Sequence, residues 1–318
     1  MRFNEESISL AHICATDGTY RITTTDSIDD LKKSIAGIGL IHSPILHPTT
    51  AGYRIVAGFR RIEALRALGR VTLQARLLPD DSDESTRVNL AIADNSLQRA
   101  LNPIESSRAL NLLSSVAVDE RHLIQMAAAL SLPNNPALMA KHMTLTSMPA
   151  AVQQGVVSGE LPLSMALELN KFDTKTAESL ARIFTELRLG LNRQRELLTL
   201  LHEIAMREDR SIEALLVGSD VRGIIDDADL DNVRKSGQLR ALLFRRRYPA
   251  ISARAARFND LVKALRLGSG VKLSPPGNFE GTVYTLSINF DRRAQLVDRG
   301  KCIETLIRSD ALGKFLEE

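Results

Sequence analysis

A chain of 318 residues with 44% hydrophobic and 25% charged residues has the make-up of an ordinary globular protein and is long enough for two or three cores. It has no apolar run long enough to cross a bilayer and no basic-then-apolar leader in MRFNEESISLAHICATDG. Cys14 and Cys302 alone exclude a disulfide framework or a cysteine-rich zinc site, so the expectation is a cytoplasmic protein without a membrane partner. A net charge of +3 excludes little, but six arginines and no acid lie between Arg240 and Arg257, against DDSDE at 80–84. That asymmetry is compatible with a nucleic-acid partner or with a solvated helix face. The absence of Trp argues against a base-stacking single-strand binder.

In chain order, SIDDLKKSIAGIGL predicts a helix with Ser27 as cap, Asp30 completing a capping box, and Gly37 or Gly39 as its end. SPILHP and GYRIVAG read as short strands around PTTAG. IEALRALG reads as a helix with Ile62, Leu65 and Leu68 inward and Gly69 as its stop, and VTLQARLLP as a returning strand. Residues 20–79 thus form a small α/β unit. From about Ser85 to Phe258 the chain is mainly helical: STRVNLAIADN, then a helix opened by Asn102, Pro103 and Glu105, then two short helices joined at SLPNN. AESLARIFTELR and QRELLTLLHEIAMRE follow at helical spacing. After LRLGSG, VKLSPPGNFEGTVYTLSINF alternates at Val283, Leu286, Ile288 and Phe290 as a strand pair, and RAQLVDRGKCIETLIRS is a helix. So small a core points to a dimerisation module. The fold class is α+β: a small α/β N-terminal domain, a mainly helical middle and a small hairpin-and-helix C-terminal module.

Three groups of residues are candidate sites. In VAGFRRIEALRALG, Gly58, Phe59, Arg60 and Arg61 stand where a strand ends and a helix begins. Cations are unfavourable at a helix N-terminus unless an anion compensates. Gly58 permits a close approach of the backbone, and the first N–H groups with two guanidiniums suit a phosphate. The alternative is an exposed turn whose arginines pair with a neighbour such as Glu63. In DNSLQRALNPIE, the carboxylate of Asp94, the amide of Asn95 and the guanidinium of Arg99 could hold Mg²⁺ and phosphate oxygens, whereas capping accounts for Asn102, Pro103 and Glu105. The helix pair around SLPNN has the length of a helix-turn-helix, with Asn134, Asn135, Lys141 and His142 as DNA-facing groups, although any two short packed helices look alike. His42 and His47 flank a short strand and read as surface residues. There is no histidine metal pattern, Gly-x-Ser-x-Gly elbow or Walker loop.

IGLIHSPILHPTTAGYRIVAGFRRIEALRALG resembles the N-terminal domain of ParB-type partition proteins, a ParB/sulfiredoxin-like unit whose pattern ends in Gly-Glu-Arg-Arg and a helix. DNSLQRALNPIESSRAL is similar to that family's second box. TSMPAAVQQGVVSGELPLSMALEL, Thr146 to Leu169, stands where the family continues after its helix-turn-helix. RRRYPAISARAARFNDLVKAL…SPPGNFEG also looks like a tail of some mobile-element members.

The resemblance implies a CTP-dependent DNA clamp in plasmid, chromosome or mobile-element segregation. Its domains would be 1–92 (nucleotide binding), 93–172 (helical linker and helix-turn-helix), 173–267 (helical, with the basic stretch) and 268–318 (dimerisation). Carried over by position, Gly58, Phe59, Arg60, Arg61, Asn95, Arg99 and Arg21 would bind CTP or another nucleoside triphosphate. Asn95 and Asp94 would hold Mg²⁺, Asp94 being also the candidate catalytic carboxylate. The implied partners are double-stranded DNA with a centromere-like site, a second copy in a homodimer and a partition ATPase, at the nucleoid or a plasmid.

Two positions depart from the pattern. The family's glutamate in the first arginine box is Phe59 here. In the second box, either Asp94 replaces the glutamate and Arg99 is offset by one residue, or Arg99 aligns and the spacing to Asn102 is one short. Phosphate binding needs the cations and survives, but hydrolysis needs a positioned water, so turnover is expected to be slow or absent. A nuclease or phosphotransferase on the same α/β unit, and a helix-turn-helix regulator without nucleotide control, are the alternatives.

Overall fold

A four-stranded sheet organises the first of two compact units, Met1–Leu191, the second being Asn192–Glu318; the structure, a computed structural model, describes residues 3–24 and 27–317. β1 (Asn4–Ser9) is followed by α1 (Asp29–Ile38), the hairpin of β2 (Ile45–Thr49) and β3 (Gly52–Ala57), α2 (Phe59–Ala67) and β4 (Thr72–Leu77). The sheet order is β1-β4-β2-β3. β4 runs antiparallel to β1 and parallel to β2, with α2 as the crossover that a parallel pair requires.

Alternation along β3 sets the two faces. Ile55 points into a cluster with Ile35 of α1 and Ile62 and Leu65 of α2, while Val56 points into the opposite one. That second cluster is shared with α3 (Glu84–Ser96), α4 (Pro103–Val116), α5 (Glu120–Ala129) and α6 (Pro136–Met143). The segment boundary expected at 92/93 therefore lies inside α3, whose buried Val88, Ala91 and Ile92 join sheet and helices in one core. α7 (Ala150–Val157), α8 (Leu163–Leu169) and α9 (Thr174–Glu186) complete the unit.

Local signals account for most helix starts. Asn102 and Glu105 form a complete capping box on α4 with Pro103 at its first position, and Asp83, Asp119 and Asn135 cap α3, α5 and α6. α1 departs from expectation: its N-cap is Ile28 with no side-chain bond, and Asp29 and Asp30 serve the dipole instead. β1 was not expected at all. It is an edge strand in which Ile8 alone is buried. On the opposite edge Gly52 lies so close to the segment before α1 that a Cβ there would sit 2.3 Å from the His12 carbonyl oxygen.

In the second unit α10 (Leu191–Glu208), α11 (Ile212–Leu216), α12 (Ser219–Ile225), α13 (Asn232–Arg247) and α14 (Pro249–Ala264) precede the hairpin of β5 (Val271–Ser274) and β6 (Thr285–Ile288), then α15 (Arg293–Ile307) and α16 (Asp310–Glu317). Phe258, Leu261, Leu273 and Phe315 form its small terminal core. Val283 and Phe290, expected to alternate into it, fall outside β6 and are exposed.

The basic stretch is not a free cationic face. Arg240 pairs with Glu196 at 2.6 Å, Arg246 with Glu208 at 2.6 Å and Asp220 at 3.2 Å, and Arg247 with Glu203 at 2.6 Å. Arg254 lies over the Phe279 and Phe315 rings. Arg240, Arg246 and Arg247 thus lie close to acids 26 to 44 residues away. No helix among the described residues is long and apolar enough to cross a membrane.

Candidate functional site

Gly58 is the N-cap of α2 in the left-handed region, φ 94° and ψ 27°. A Cβ there would lie 3.0 Å from Pro44 Cβ and 3.1 Å from Arg61 Nε. Both the conformation and the space require glycine. No side chain caps α2 and no acid stands in its first turn, so its first N–H groups lack intrahelical partners. Gly58→Ala is expected to destabilise the protein by roughly 1–3 kcal/mol, read as a lower denaturation midpoint at unchanged m-value.

The start of α2 opens into a cleft of about 320 Å³. Gly58, Phe59, Arg60 and Arg61 form its floor, the end of α3 with Asp94, Asn95 and Arg99 one wall, and Leu31, Ile35 and Leu40 an apolar side. Its charges are largely pre-paired. Arg61 donates to Asp94 Oδ2 at 2.5 Å and to the His42 carbonyl at 3.0 Å. Arg99 grips Glu105 with both terminal nitrogens at 2.6 and 2.8 Å. Arg60 differs: Nη2 donates to the Ser27 carbonyl at 2.6 Å, while its Nε is buried with no hydrogen-bond partner. No carboxylate among the described residues pairs with it.

The structure thus gathers Gly58, Phe59, Arg60, Arg61, Asp94, Asn95 and Arg99 around one cleft. Arg21 is not among the lining residues. Its guanidinium pairs with Glu63 at 2.5 Å and lies 6.0 Å from the Phe59 ring centroid, so Glu63 is committed to Arg21 and not to the paired arginines. For a magnesium ion the donors are few. No group of three His, Cys, Asp or Glu that could hold a metal occurs among the described residues, and Asn95 Nδ2 bonds the Ala91 carbonyl at 3.0 Å, leaving Oδ1. Asp94 and Asn95 Oδ1 fit Mg²⁺ only as one edge of a magnesium–phosphate complex, the way this ion is commonly held.

The far end of the cleft is anchored by a polar network. Tyr20, at the cleft wall, donates to Glu84 Oε1 at 2.8 Å, and Arg87 bonds Tyr20, Glu84, the Ser82 carbonyl and, at 3.3 Å, His47 Nε2. His47 is therefore half-buried and engaged rather than a free surface residue. Accepting from Arg87 at Nε2 puts its proton on Nδ1, which is buried without a partner. Burial first, then the charges of Arg87 and Arg54, push its pKa below the ordinary 6.5. The unfolded chain then binds the proton more readily, so this contribution to stability is complete above pH 6.5 and is lost as pH falls below it. Thermal melts at pH 7.5 and 5.5 should show a larger drop for the wild type than for His47→Gln.

Of the four DNA-facing candidates, Asn134 and Lys141 are exposed. Asn135 uses its side-chain oxygen to cap α6, accepting from Leu138 N at 3.1 Å. His142 is the correction: it is 9% exposed, with ring Nδ1 3.5 Å from the Pro103 carbonyl oxygen, and packs inward on α4 instead of facing a duplex. Glu105 caps α4 as the spacing predicts, and it also accepts from Arg99, a pairing the sequence reading does not include. The signal was an arginine six residues before a capping-box glutamate.

The ParB N-terminal domain model matches residues 7–96, a span holding β2, β3 and β4, the second half of β1, α1, α2 and α3 to its end. Over residues 7–96 the chain is similar to ParB N-terminal domains. The probable chromosome-partitioning protein ParB of Chlamydia pneumoniae is 26% identical over 199 residues, 61% of this chain and 67% of that protein. The stage 0 sporulation protein J of Bacillus subtilis (strain 168) is 25% identical, covering 59% and 65%. The chromosome-partitioning protein ParB of Myxococcus xanthus is 31% identical, covering 45% and 47%. The matches thus span about half to two thirds of the length of those relatives. Two solved structures of C-terminally truncated ParB from Caulobacter crescentus are similar. One, complexed with CTP-gamma-S, has 22% identity and a TM-score of 0.27 over 57% of this chain and 99% of that one. The other, complexed to the centromeric parS site, has 21% identity and a TM-score of 0.34 over 60% and 97%.

Proposed function

We propose that this chain is a nucleotide-gated DNA-binding protein of DNA segregation, whose α2 cleft holds a nucleoside triphosphate, CTP in the first instance. The observation that carries the reading is Arg60. A buried guanidinium nitrogen without an acceptor, beside an uncapped helix N-terminus, is satisfied by a phosphate oxygen. Arg61 and Arg99 supply further charged donors, and the apolar side of the cleft takes the less polar part of the ligand. Asp94 and Asn95 would hold Mg²⁺ against the phosphates, where the ion neutralises their charge. The relatives named for chromosome partitioning support the biological setting, at the nucleoid or a plasmid with a partition ATPase as partner.

Helices α5 and α6 form the helix-turn-helix of a 93–172 DNA-binding segment, with Asn134 and Lys141 on its exposed side. The 1–92 segment, with Asp94, Asn95 and Arg99 just beyond it, binds nucleotide, 173–267 is a helical connection and 268–318 is the homodimerisation module. Exposed Val283, Phe290, Val297 and Ile307 beside a small core support that last assignment. With Phe59 in the arginine turn, bound nucleotide is turned over slowly or not at all.

Calorimetric titration with CTP and Mg²⁺, with and without duplex carrying a centromere-like site, tests this. Nucleotide affinity together with a site preference that weakens steeply with salt is expected. No nucleotide affinity and no site preference would overturn it. Site-specific binding that ignores nucleotide would instead favour a plain helix-turn-helix regulator.

A further inference from the structure

We propose that Glu105 is a positioning residue of the cleft, holding Arg99 ready for the ligand and tying the cleft wall to α4, so that an occupied cleft and the helix beneath α6 move together. This rests on the nucleotide reading above.

A capping-box glutamate needs to do no more than accept one bond from its N-cap amide. Glu105 does this for Asn102 N at 3.1 Å, but it also accepts both terminal nitrogens of Arg99 at 2.6 and 2.8 Å and the Thr24 amide at 3.1 Å. Its exposure is 0%. Burial pushes the carboxyl up, yet the Arg99 guanidinium and the Thr24 and Asn102 amides outweigh it and hold the group below the ordinary carboxylate value. Glu105 is thus a buried anion whose charge is matched by one half-exposed arginine.

Arg99 lines the cleft, and so does Thr23, the residue before Thr24. The same helix holds the wall at further points: Asn102 Nδ2 donates to Thr24 Oγ1 at 2.7 Å, and Arg108 donates to the Ile22 and Thr23 carbonyls at 3.2 and 2.8 Å. The other flank of α4 is bonded to the end of α6, where Asn111 Nδ2 donates to the Met143 carbonyl at 3.0 Å and to Thr146 Oγ1 at 2.8 Å.

Two consequences follow from the chemistry. With both terminal nitrogens fixed, the guanidinium plane of Arg99 is set before a ligand arrives, and the ordering cost of a long side chain is already met. A ligand phosphate that draws on Arg99 must also draw on Glu105, because a buried carboxylate does not release its counter-cation cheaply. Glu105 moves only with the first turn of α4.

The test is a double-mutant cycle read by CTP·Mg²⁺ affinity. Glu105→Gln keeps the shape and one acceptor but loses the charge, and should weaken binding about tenfold. Arg99→Ala should cost about the same, and the double variant no more than either alone, since Glu105 acts through Arg99. In Glu105→Gln the change in DNA affinity on adding nucleotide should disappear, while nucleotide-free DNA affinity stays within twofold of wild type. Additive losses, or Glu105→Gln within twofold of wild type in both readouts, would overturn the proposal. If Glu105→Gln does not fold, Arg99→Ala decides: hydrogen exchange of the Thr23 and Thr24 amides should respond to nucleotide in the wild type and not in the variant, and an equal response in both overturns the idea. Failure of the wild type to bind CTP·Mg²⁺ is the separate failure of the nucleotide reading itself.

Discussion

Replacing Arg60 by alanine is expected to weaken nucleoside triphosphate binding about 10- to 100-fold, the range that follows from losing one or two charged hydrogen bonds. Of the cleft arginines, Arg60 should give the cleanest loss. Among the described residues its Nε has no acceptor to lose, and its bond to the Ser27 carbonyl leaves no described carboxylate stranded on removal. Arg61→Ala differs, because Asp94 at 2.5 Å would remain charged beside the phosphates with its cation gone. Its loss should therefore exceed that of Arg60→Ala, and Arg61→Ala combined with Asp94→Asn, which also removes a carboxylate from the Mg²⁺ edge, should bind no more tightly than Arg61→Ala. Calorimetric titration of the four proteins with CTP and Mg²⁺ checks the order. Equal affinities for wild type and Arg60→Ala would place the ligand elsewhere.

Where the deciding interactions are local, the sequence was legible. Ile62 and Leu65 face inward on α2 and Gly69 ends the turn after it in the left-handed region, as period and stop signal require. Asn102 and Glu105 cap α4 by a three-residue rule. Partners distant in sequence escaped it. Asp94 reaches Arg61 across 33 residues, and no spacing rule joins the end of α3 to the start of α2. Ser27 looked like a cap because serines often are, yet its carbonyl serves Arg60 and α1 starts without it. Six arginines in one stretch of sequence fit a nucleic-acid surface or a solvated helix face equally, and the acids beside three of them, Glu196, Glu203, Glu208 and Asp220, are too distant in sequence to read. β1 hid because an acidic edge strand with one buried residue has almost no alternation to read. His142 followed the same logic inverted: Met139 three residues earlier is buried, so the helical period already put His142 on the inner stripe.

Phe59→Glu should create nucleotide turnover where the wild type has little, about 100-fold or more above the wild-type rate, the contribution typical of a positioned general base. Phe59 is the first residue of α2, beside Arg60 and on the cleft lining. Its ring packs against both hydrophobic clusters of the unit and under the Arg21 guanidinium, so it contributes packing and cation–π attraction but no acceptor for a water proton. A carboxylate there would stand at a helix N-terminus, where the dipole favours it by about 0.3–1 kcal/mol. Losing a half-buried ring costs roughly 1–3 kcal/mol, so the variant should melt lower even as it gains activity. It should also bind triphosphate somewhat less tightly, because a new negative charge faces the phosphates. Phe59→Gln separates the two roles a glutamate would have: it can orient a water but cannot take its proton, and should recover much less of the rate. Phosphate release from CTP·Mg²⁺ in the presence of cognate duplex, measured for the three proteins at saturating nucleotide, reads these differences. A wild-type rate equal to that of Phe59→Glu would show that another group already positions the water, with His42, exposed on the cleft rim, the first to replace.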